Sequence, residues 1–209
     1  MDTTKTKSKT RITKNLMPNT NSSTIKVQKR DGRLEDLDIN KIHFVVEEAC
    51  EGLSGVSSSQ IEMNANIQFY DGMTTKDIQN VLVRSANDLI SLDTPNYQYA
   101  AARLLSYDVR KEAHGQYEYT PLLKLILRNI RSGVYDKAIL EKYTKTEIKK
   151  FNTWIKRERD LKFTYAGLRQ ICDKYLVQDR SSGQIYETPQ DMYMMIAATL
   201  FADYPTKTR

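Results

Sequence analysis

One short stretch, KVQKRDGRLEDLDINKIH (residues 26–43), constrains the fold more than any other part of the chain. Its Asp31-Gly32 pair predicts a β-hairpin turn, because Gly adopts positive φ without steric cost and Asp tolerates it. Apolar and polar residues alternate on both sides of the pair, as expected for two short strands. The second strand then runs into a helix, with Asp38 or Asn40 as its N-cap.

The charges of this stretch also suggest what it binds. The predicted turn gathers Lys29, Arg30 and Arg33 at one end of the ribbon, next to a helix N-terminus that favours anions. Lys41 lies in the first helical turn, where a cation is unfavourable unless an anionic partner is present. A polyphosphate would be such a partner, and the acidic residues of the second strand offer acceptors for amino or hydroxyl groups. A charged, solvated hairpin is the alternative that these residues leave open.

The rest of the sequence is mainly helical. Apolar residues recur at helical spacing in four further segments, residues 38–53, 57–72, 74–92 and 93–115, with capping residues at their starts and Gly near most ends. The pattern stays helical afterwards, interrupted by a second hairpin predicted around a Ser-Gly turn in residues 174–189. The predicted fold class is therefore mainly α: an N-terminal β-hairpin with four helices, then a helical segment with a second short hairpin.

Charge and composition divide the chain into three parts. The net charge is +6, and residues 1–24 contain five basic residues against one acidic residue and few apolar ones. Such a segment buries too little surface to offset its ordering entropy, so it is predicted to be a disordered basic tail. The expected domains are residues 25–115 and 116–209. DNA binding by a basic accessory protein stays open but is disfavoured, because the excess charge belongs to the tail.

Several classes of function are disfavoured by what the sequence lacks. Cys50 and Cys172 provide neither a disulfide framework nor a cysteine zinc site, and both are expected to be buried apolar residues. His43 and His114 have no neighbours at metal-ligand spacing, so no metal site is expected. No apolar run approaches the roughly 18 residues that a membrane span needs, and no signal peptide is visible. A cytoplasmic protein is expected.

The last predicted helix, in residues 189–205, is apolar on nearly every side. A helix of this kind has to be buried. It is expected either to pack against the helices of residues 116–170 or to be covered by a further part of a larger fold.

Taken together and in order, the motifs resemble a known family. They are VQKRDGRLEDLDINKI, EGL, IQFYDGMTTKDIQNVLVRSANDLIS and PNYQYAAARLLSYDVRKEAHGQYE, followed by YTKTEIKKFNTWIKRERDLKFTYAGLRQICDKYLVQDRSSGQIYETPQDMYM. This series is similar to the ATP-cone and its continuation in the large subunit of class I ribonucleotide reductase, in bacterial and T4-like phage enzymes. The resemblance covers residues 25–209.

The resemblance implies a regulatory site for ATP or dATP, with Mg²⁺ accompanying the nucleotide. Lysines suit phosphate oxygens, polar residues suit the base or sugar, and Leu or Ile suits an apolar wall. Gln79 stands where some members of the family have histidine. By matching positions the nucleotide is expected to contact Lys29, Glu35, Asp36, Leu37, Asp38, Ile39, Asn40, Lys41, Thr75 and Lys111.

The family reduces ribonucleoside diphosphates to deoxyribonucleotides for DNA synthesis in a thioredoxin- or glutaredoxin-dependent reaction. Its three active-site cysteines are not matched here, so the resemblance implies a split or truncated large subunit without catalytic residues of its own. The implied partners are a separate chain with the remaining C-terminal part, a small di-iron radical-generating subunit, and further copies of the assembled large subunit. A stand-alone ATP-cone regulator is the alternative. Known regulators of that kind carry a zinc ribbon, and this chain has no C-x-x-C.

Overall fold

The structure, a computed structural model, describes residues 25–204. The predicted tail, residues 1–24, lies outside the described part. The elements in chain order are β1 (Lys26–Gln28), β2 (Leu34–Asp36), α1 (Ile39–Cys50), α2 (Ser58–Asn66), β3 (Met73–Thr74), α3 (Thr75–Asn87), α4 (Tyr97–His114), α5 (Leu122–Arg131), α6 (Ala138–Lys142), α7 (Lys145–Trp154), a 3-10 helix (Arg157–Lys162), α8 (Tyr165–Lys174) and α9 (Pro189–Leu200). The predicted mainly α fold with an N-terminal hairpin is confirmed.

The hairpin turn differs in detail from the predicted one. The Lys29 amide donates to the Arg33 carbonyl at 2.8 Å, and the Gly32 amide donates to the Lys29 carbonyl at 2.9 Å. The loop therefore has three residues, and Gly32 alone adopts positive φ, at 86°. This is a type I turn closed by a glycine bulge rather than a two-residue Asp-Gly turn. Asp31 instead accepts hydrogen bonds from the amide and guanidinium of Arg33.

A third strand, which the sequence did not predict, completes the sheet. β3 pairs in parallel with β1, so the strand order is β2-β1-β3. Helix α2 was predicted to continue to Gly72, but it ends at Asn66. The following residues turn towards the sheet instead, where the Gly72 amide donates to the Lys26 carbonyl and the Lys26 amide donates to Asp71. Long-range strand pairing therefore overrides the local helical pattern.

Most predicted helix starts are confirmed by their caps. Asp38 accepts hydrogen bonds from the second and third amides of α1, and Thr74 accepts one from Asp77 at the start of α3. Thr144 and Glu147 form a capping box before α7. Helix α4 ends at Gly115, whose φ of 72° lets the chain reverse.

Helix α4 is the centre of the main core. Its residue Leu104 is fully buried, as are Val46 of α1 and Ile61 of α2, while Leu82 of α3 is almost completely buried. Leu168 of α8 is also fully buried in this same core, so the later helical part packs directly on the earlier one. Burial of each such side chain contributes roughly 1.5 to 3 kcal/mol.

A second, smaller core forms among α5, α6, α7 and α9. Ala198 of α9 packs there, whereas Met192 at the start of α9 joins the main core. The opposite side of α9 stays open, with Ile196 48% and Leu200 69% exposed. The predicted second hairpin is reduced to a single antiparallel bridge between Gln178 and Ile185.

A buried polar network joins α4, the 3-10 helix and α9. Asp191 is fully buried and accepts hydrogen bonds from Arg157 at 2.6 Å and from the Thr188 hydroxyl at 2.6 Å. The Nε2 atom of His114 lies 3.4 Å from the same carboxylate. Burial opposes ionisation of Asp191, but its hydrogen bonds and the Arg157 charge outweigh it and hold the pKa well below the usual range. The network therefore fixes the end of α4 to the later helices.

Candidate functional site

A cleft opens where the β1-β2 ribbon, the first turn of α1, helix α3 and the end of α4 meet. Eight of the ten residues predicted for the nucleotide site line this cleft. They come from four separate parts of the chain, and the fold brings them together. These residues are Lys29, Glu35, Asp36, Leu37, Asp38, Lys41, Thr75 and Lys111.

Two predicted residues, Ile39 and Asn40, do not line the cleft. They are the first two residues of α1, and Ile39 is 61% exposed. Successive helical residues are rotated by about 100°, so the cleft-facing side of α1 carries Lys41, Ile42 and Val45 instead. Contact of a bound ligand with Ile39 or Asn40 stays a prediction.

The inner wall of the cleft is apolar and was not included in the predicted site. It consists of Val27, Ile42, Val45, Ile78 and Leu82. The helical spacing of these residues on α1 and α3 indicates a shared face, but periodicity alone does not separate a ligand wall from the core.

Gln79 also lines the cleft, and its side chain has a structural partner. Its Nε2 donates a hydrogen bond to the Leu104 carbonyl on α4 at 2.8 Å, and the residue is only 9% exposed. Gln79 therefore ties α3 to α4 behind the cleft, while its remaining surface faces the ligand space.

Two lysines of the cleft form ion pairs with carboxylates of the cleft. The Lys29 Nζ atom lies 3.4 Å from Glu35, and the Lys41 Nζ atom lies 3.5 Å from Asp38. An incoming polyphosphate would exchange these partly exposed pairs for its own oxygens. The cost of that exchange is small, because ion pairs of this exposure contribute about 0 to 1 kcal/mol.

Arg30, at the turn of the hairpin, is committed to a structural contact. Its guanidinium lies 2.6 Å from the carboxylate of Asp108 on α4. Burial raises the pKa of Asp108, and the Arg30 charge opposes that rise. The pair fastens the hairpin to α4, so the three cations of the turn do not act as one free cluster.

Lys111 differs from the other lysines of the cleft. Within residues 25–204 it has no carboxylate at ion-pair distance, although Lys29 and Lys41 each have one. Burial lowers its pKa, and the nearby charges of Arg30, Lys29 and Arg110 lower it further. The end of α4 therefore holds a half-buried ammonium group whose charge is only partly offset, by Asp108, which suits it to an anionic ligand.

The cleft itself is small, with a volume of about 120 Å³. Ligand pockets usually enclose about 300 to 1,000 Å³, so this space fits only part of a nucleotide. An open depression of about 450 Å³ adjoins it and shares Lys29 and Thr75 with it. Arg30, Lys76 and Glu112 also line this depression. With Lys29 its lining has three basic groups and one acidic group, so the depression continues the cleft on a mainly basic surface.

A larger cavity of about 640 Å³ lies elsewhere, between α6 and α9. Its lining is mostly apolar and contains residues such as Val134, Ile139 and Ile196. Lys142 is the one basic residue among its described lining residues, so this part of the structure does not offer the group of cations expected of a phosphate site.

The two cysteines show no sign of a reactive pair. Burial raises the pKa of Cys50 to about 11 and that of Cys172 to about 12. Both thiols therefore stay protonated at neutral pH, and Cys172 lies in the main core. Within residues 25–204 no three His, Cys, Asp or Glu side chains are arranged to hold a metal ion. None of the helices in the described part is long and apolar enough to span a membrane.

Comparison with known proteins defines the class. Residues 25–112 match the ATP cone domain family, and residues 161–208 match the all-alpha domain of ribonucleotide reductase. The residues of the cleft all fall within the first match. The chain therefore carries an ATP-cone domain followed by a ribonucleotide reductase all-alpha domain, and the family resemblance in the sequence is confirmed.

Individual relatives agree with this assignment. The chain is 47% identical over 183 residues to ribonucleoside-diphosphate reductase 1 subunit alpha of Escherichia coli K12, covering 88% of this chain and 24% of the relative. It is 43% identical over 183 residues to subunit alpha of the reductase of Enterobacteria phage T4, covering 87% of this chain and 24% of that protein. The chain therefore belongs with the N-terminal regions of ribonucleoside-diphosphate reductase alpha subunits. It spans about a quarter of the length of these curated relatives.

Proposed function

We propose that the cleft binds ATP or dATP as an allosteric effector. The observation that carries this proposal is the convergence of eight predicted residues in one cleft inside the ATP-cone match. The apolar wall accommodates the base and sugar, with Glu35 and Thr75 as hydrogen-bond partners. Lys29, Lys41 and Lys111 bind phosphate oxygens, and the phosphate chain extends into the adjoining basic depression.

Mg²⁺ fits this arrangement. It prefers oxygen ligands and is usually held by one or two carboxylates together with the phosphates of a nucleotide. The carboxylates of Asp36 and Asp38 line the same cleft as the three lysines. These two residues would hold the ion, which would neutralise part of the phosphate charge.

We further propose that residues 25–115 are the regulatory domain and that residues 116–209 join it to the rest of a class I ribonucleotide reductase. The reduction of ribonucleoside diphosphates would take place in the remaining part of the large subunit. A small di-iron subunit would supply the radical, in the cytoplasm of the cell or of a phage-infected host.

Nucleotide binding would act by shifting the association state of the assembled large subunits. A ligand changes such an equilibrium only if it binds the states with different affinity. Helix α4 offers a physical connection, because Lys111 at the cleft is three residues from His114 in the buried Asp191 network.

Calorimetric titration of the 209-residue chain with ATP and dATP tests the site directly. We expect saturable binding, and we expect Lys29→Met to weaken it about 10- to 150-fold, since a hydrogen bond to a charged group contributes about 1.5 to 3 kcal/mol. Lys137→Met is the matched control, because Lys137 is 79% exposed and does not line the cleft. No heat and no thermal stabilisation at millimolar ATP would contradict the proposal.

A further inference from the structure

A second charged region lies away from the nucleotide cleft. Residues 121–156 contain nine basic residues and only three acidic ones. The net charge of this short segment, +6, equals the net charge of the entire chain. The rest of the sequence is therefore neutral in sum, and positive charge is concentrated on α5, α6, α7 and their flanks as well as in residues 1–24.

A groove between α5 and α7 lies within this region and has a volume of about 490 Å³. We call it the basic groove. Its floor is formed by Leu122, Leu123 and Leu127, which are buried or half-buried, and its rim carries Lys124, Arg128, Arg131 and Lys149. Pro121 and Asn152 also line it. A solvated helix face normally has no concave apolar surface among its charged residues, so an apolar floor with a cationic rim indicates an interaction site.

The carboxylates of the segment do not neutralise this rim. Asp136 accepts from the Ala138 amide at the start of α6, and Glu141 lies 3.9 Å from Lys137. Glu147 caps α7 through Thr144.

The rim cations have no carboxylate partner among residues 25–204. Arg128 donates to the Ala113 carbonyl and is held in place by the protein. Within residues 25–204, Lys124, Arg131 and Lys149 have no carboxylate at ion-pair distance, in contrast to Lys137 and Lys142 nearby. Their like charges repel each other across the groove, and an anionic partner would relieve that repulsion.

We propose that the basic groove docks an acidic amphipathic segment of a partner protein. Leu- or Phe-sized side chains of that segment would contact the leucine floor, and Asp or Glu residues beside them would pair with the rim. This is the helix-in-groove mode, in which apolar anchors at helical spacing provide affinity and the flanking charges provide register.

Nucleic acid fits the groove less well. Phosphates would account for the cations, but the leucine floor offers neither hydrogen bonds to base edges nor aromatic faces for stacking. The proposal is independent of the nucleotide site, because no residue of the basic groove lines the cleft.

Fluorescence anisotropy with the 209-residue chain tests the proposal. The probe is a labelled peptide of about 16 residues with Leu at helical spacing on one face and Glu on the other. Three comparison probes are a scrambled peptide of the same composition, the Lys counterpart of the amphipathic peptide, and a single-stranded oligothymidylate of similar charge. We expect saturable binding of the amphipathic acidic peptide only, weakened by about 0.5 M salt.

The double variant Lys124→Glu/Lys149→Glu should reduce that affinity by about tenfold or more, because two attractive contacts become repulsive. Lys162→Glu/Lys174→Glu is the matched control: it removes the same charge from exposed positions outside the basic groove and should change affinity by less than about twofold. Circular dichroism checks that both variants are folded.

The proposal is overturned if the amphipathic peptide does not bind at millimolar concentration, or if the scrambled peptide binds equally well. It is also overturned if the oligonucleotide binds more tightly than the peptide, which would identify a nucleic-acid surface. Equal losses in the two double variants would reduce the effect to overall charge and would likewise exclude a specific groove.

Discussion

Replacing Lys111 with methionine should stabilise the ligand-free protein while it weakens nucleotide binding. The folded state holds the Lys111 ammonium half-buried and near Arg30, Lys29 and Arg110, so its pKa is lowered from 10.5. A lowered lysine pKa means that the charged form is less stable in the folded than in the unfolded state. Methionine keeps the apolar stem in place and removes that unfavourable charge.

The binding effect follows from what the lysine would contribute to the complex. Loss of one hydrogen bond between charged groups costs about 1.5 to 3 kcal/mol, so the Kd for ATP should rise about 10- to 150-fold. At a nucleotide concentration of about 100 Kd, binding stabilises the wild-type protein by about 2.7 kcal/mol. A 30-fold weaker variant at the same concentration gains only about 0.9 kcal/mol.

Urea unfolding at pH 7, with and without ATP, measures both effects on one protein. The Lys111→Met variant should have the higher midpoint without nucleotide and the smaller shift with it. The sign of the charge effect can be checked at higher pH. As the pH rises through the lowered pKa of Lys111 towards 10.5, the folded wild type loses the unfavourable charge, and the difference between the two proteins should shrink.

The control is again Lys137→Met, which removes an exposed charge paired with Glu141 on α6 and should alter neither quantity by more than about 0.5 kcal/mol. A Lys111 variant that is less stable than wild type without nucleotide would refute the reasoning about burial. A variant with an unchanged ATP-induced shift would remove Lys111 from the proposed site.

Three further predictions concern stability. Asp191→Asn removes the buried carboxylate that pairs with the partly buried Arg157, and it should cost about 3 to 5 kcal/mol in urea unfolding. Asp173→Asn, at the exposed pair with Arg169, should cost less than about 1 kcal/mol. Similar losses would show that the buried network is not special. Burial raises the pKa of Asp160 to about 6. The protonated carboxyl group therefore stabilises the folded protein at low pH, and this stabilisation is lost as the pH rises through 6. The free energy of unfolding of Asp160→Asn, relative to that of wild type, should therefore increase by about 2 to 3 kcal/mol from pH 4 to pH 8. Parallel pH profiles of the two proteins would contradict this. Gly32→Ala places a side chain at a φ of 86° and should destabilise by about 1 to 2 kcal/mol, while an unchanged midpoint would mean that the turn relaxes.

The sequence predicted those parts of the fold whose determinants lie within a few residues of each other. The caps at Asp38 and Thr74 and the end of α4 at Gly115 are set by local hydrogen bonds and backbone preferences, so the sequence pattern alone predicts them. The binding residues, in contrast, were placed by family resemblance, because isolated lysines and acidic residues are typical of any solvated surface.

Other features depended on contacts between distant residues, and only the tertiary structure decided them. Strand β3 exists because residues 71–74 meet β1, so local periodicity wrongly extended α2 to Gly72. The apolar wall of the cleft and the contact of Gln79 with Leu104, which is 25 residues away, likewise form only when distant residues meet. The ionisation of Lys111 and Asp191 also depends on such contacts: burial and neighbouring charges shift a pKa, and the fold alone determines which groups are buried together.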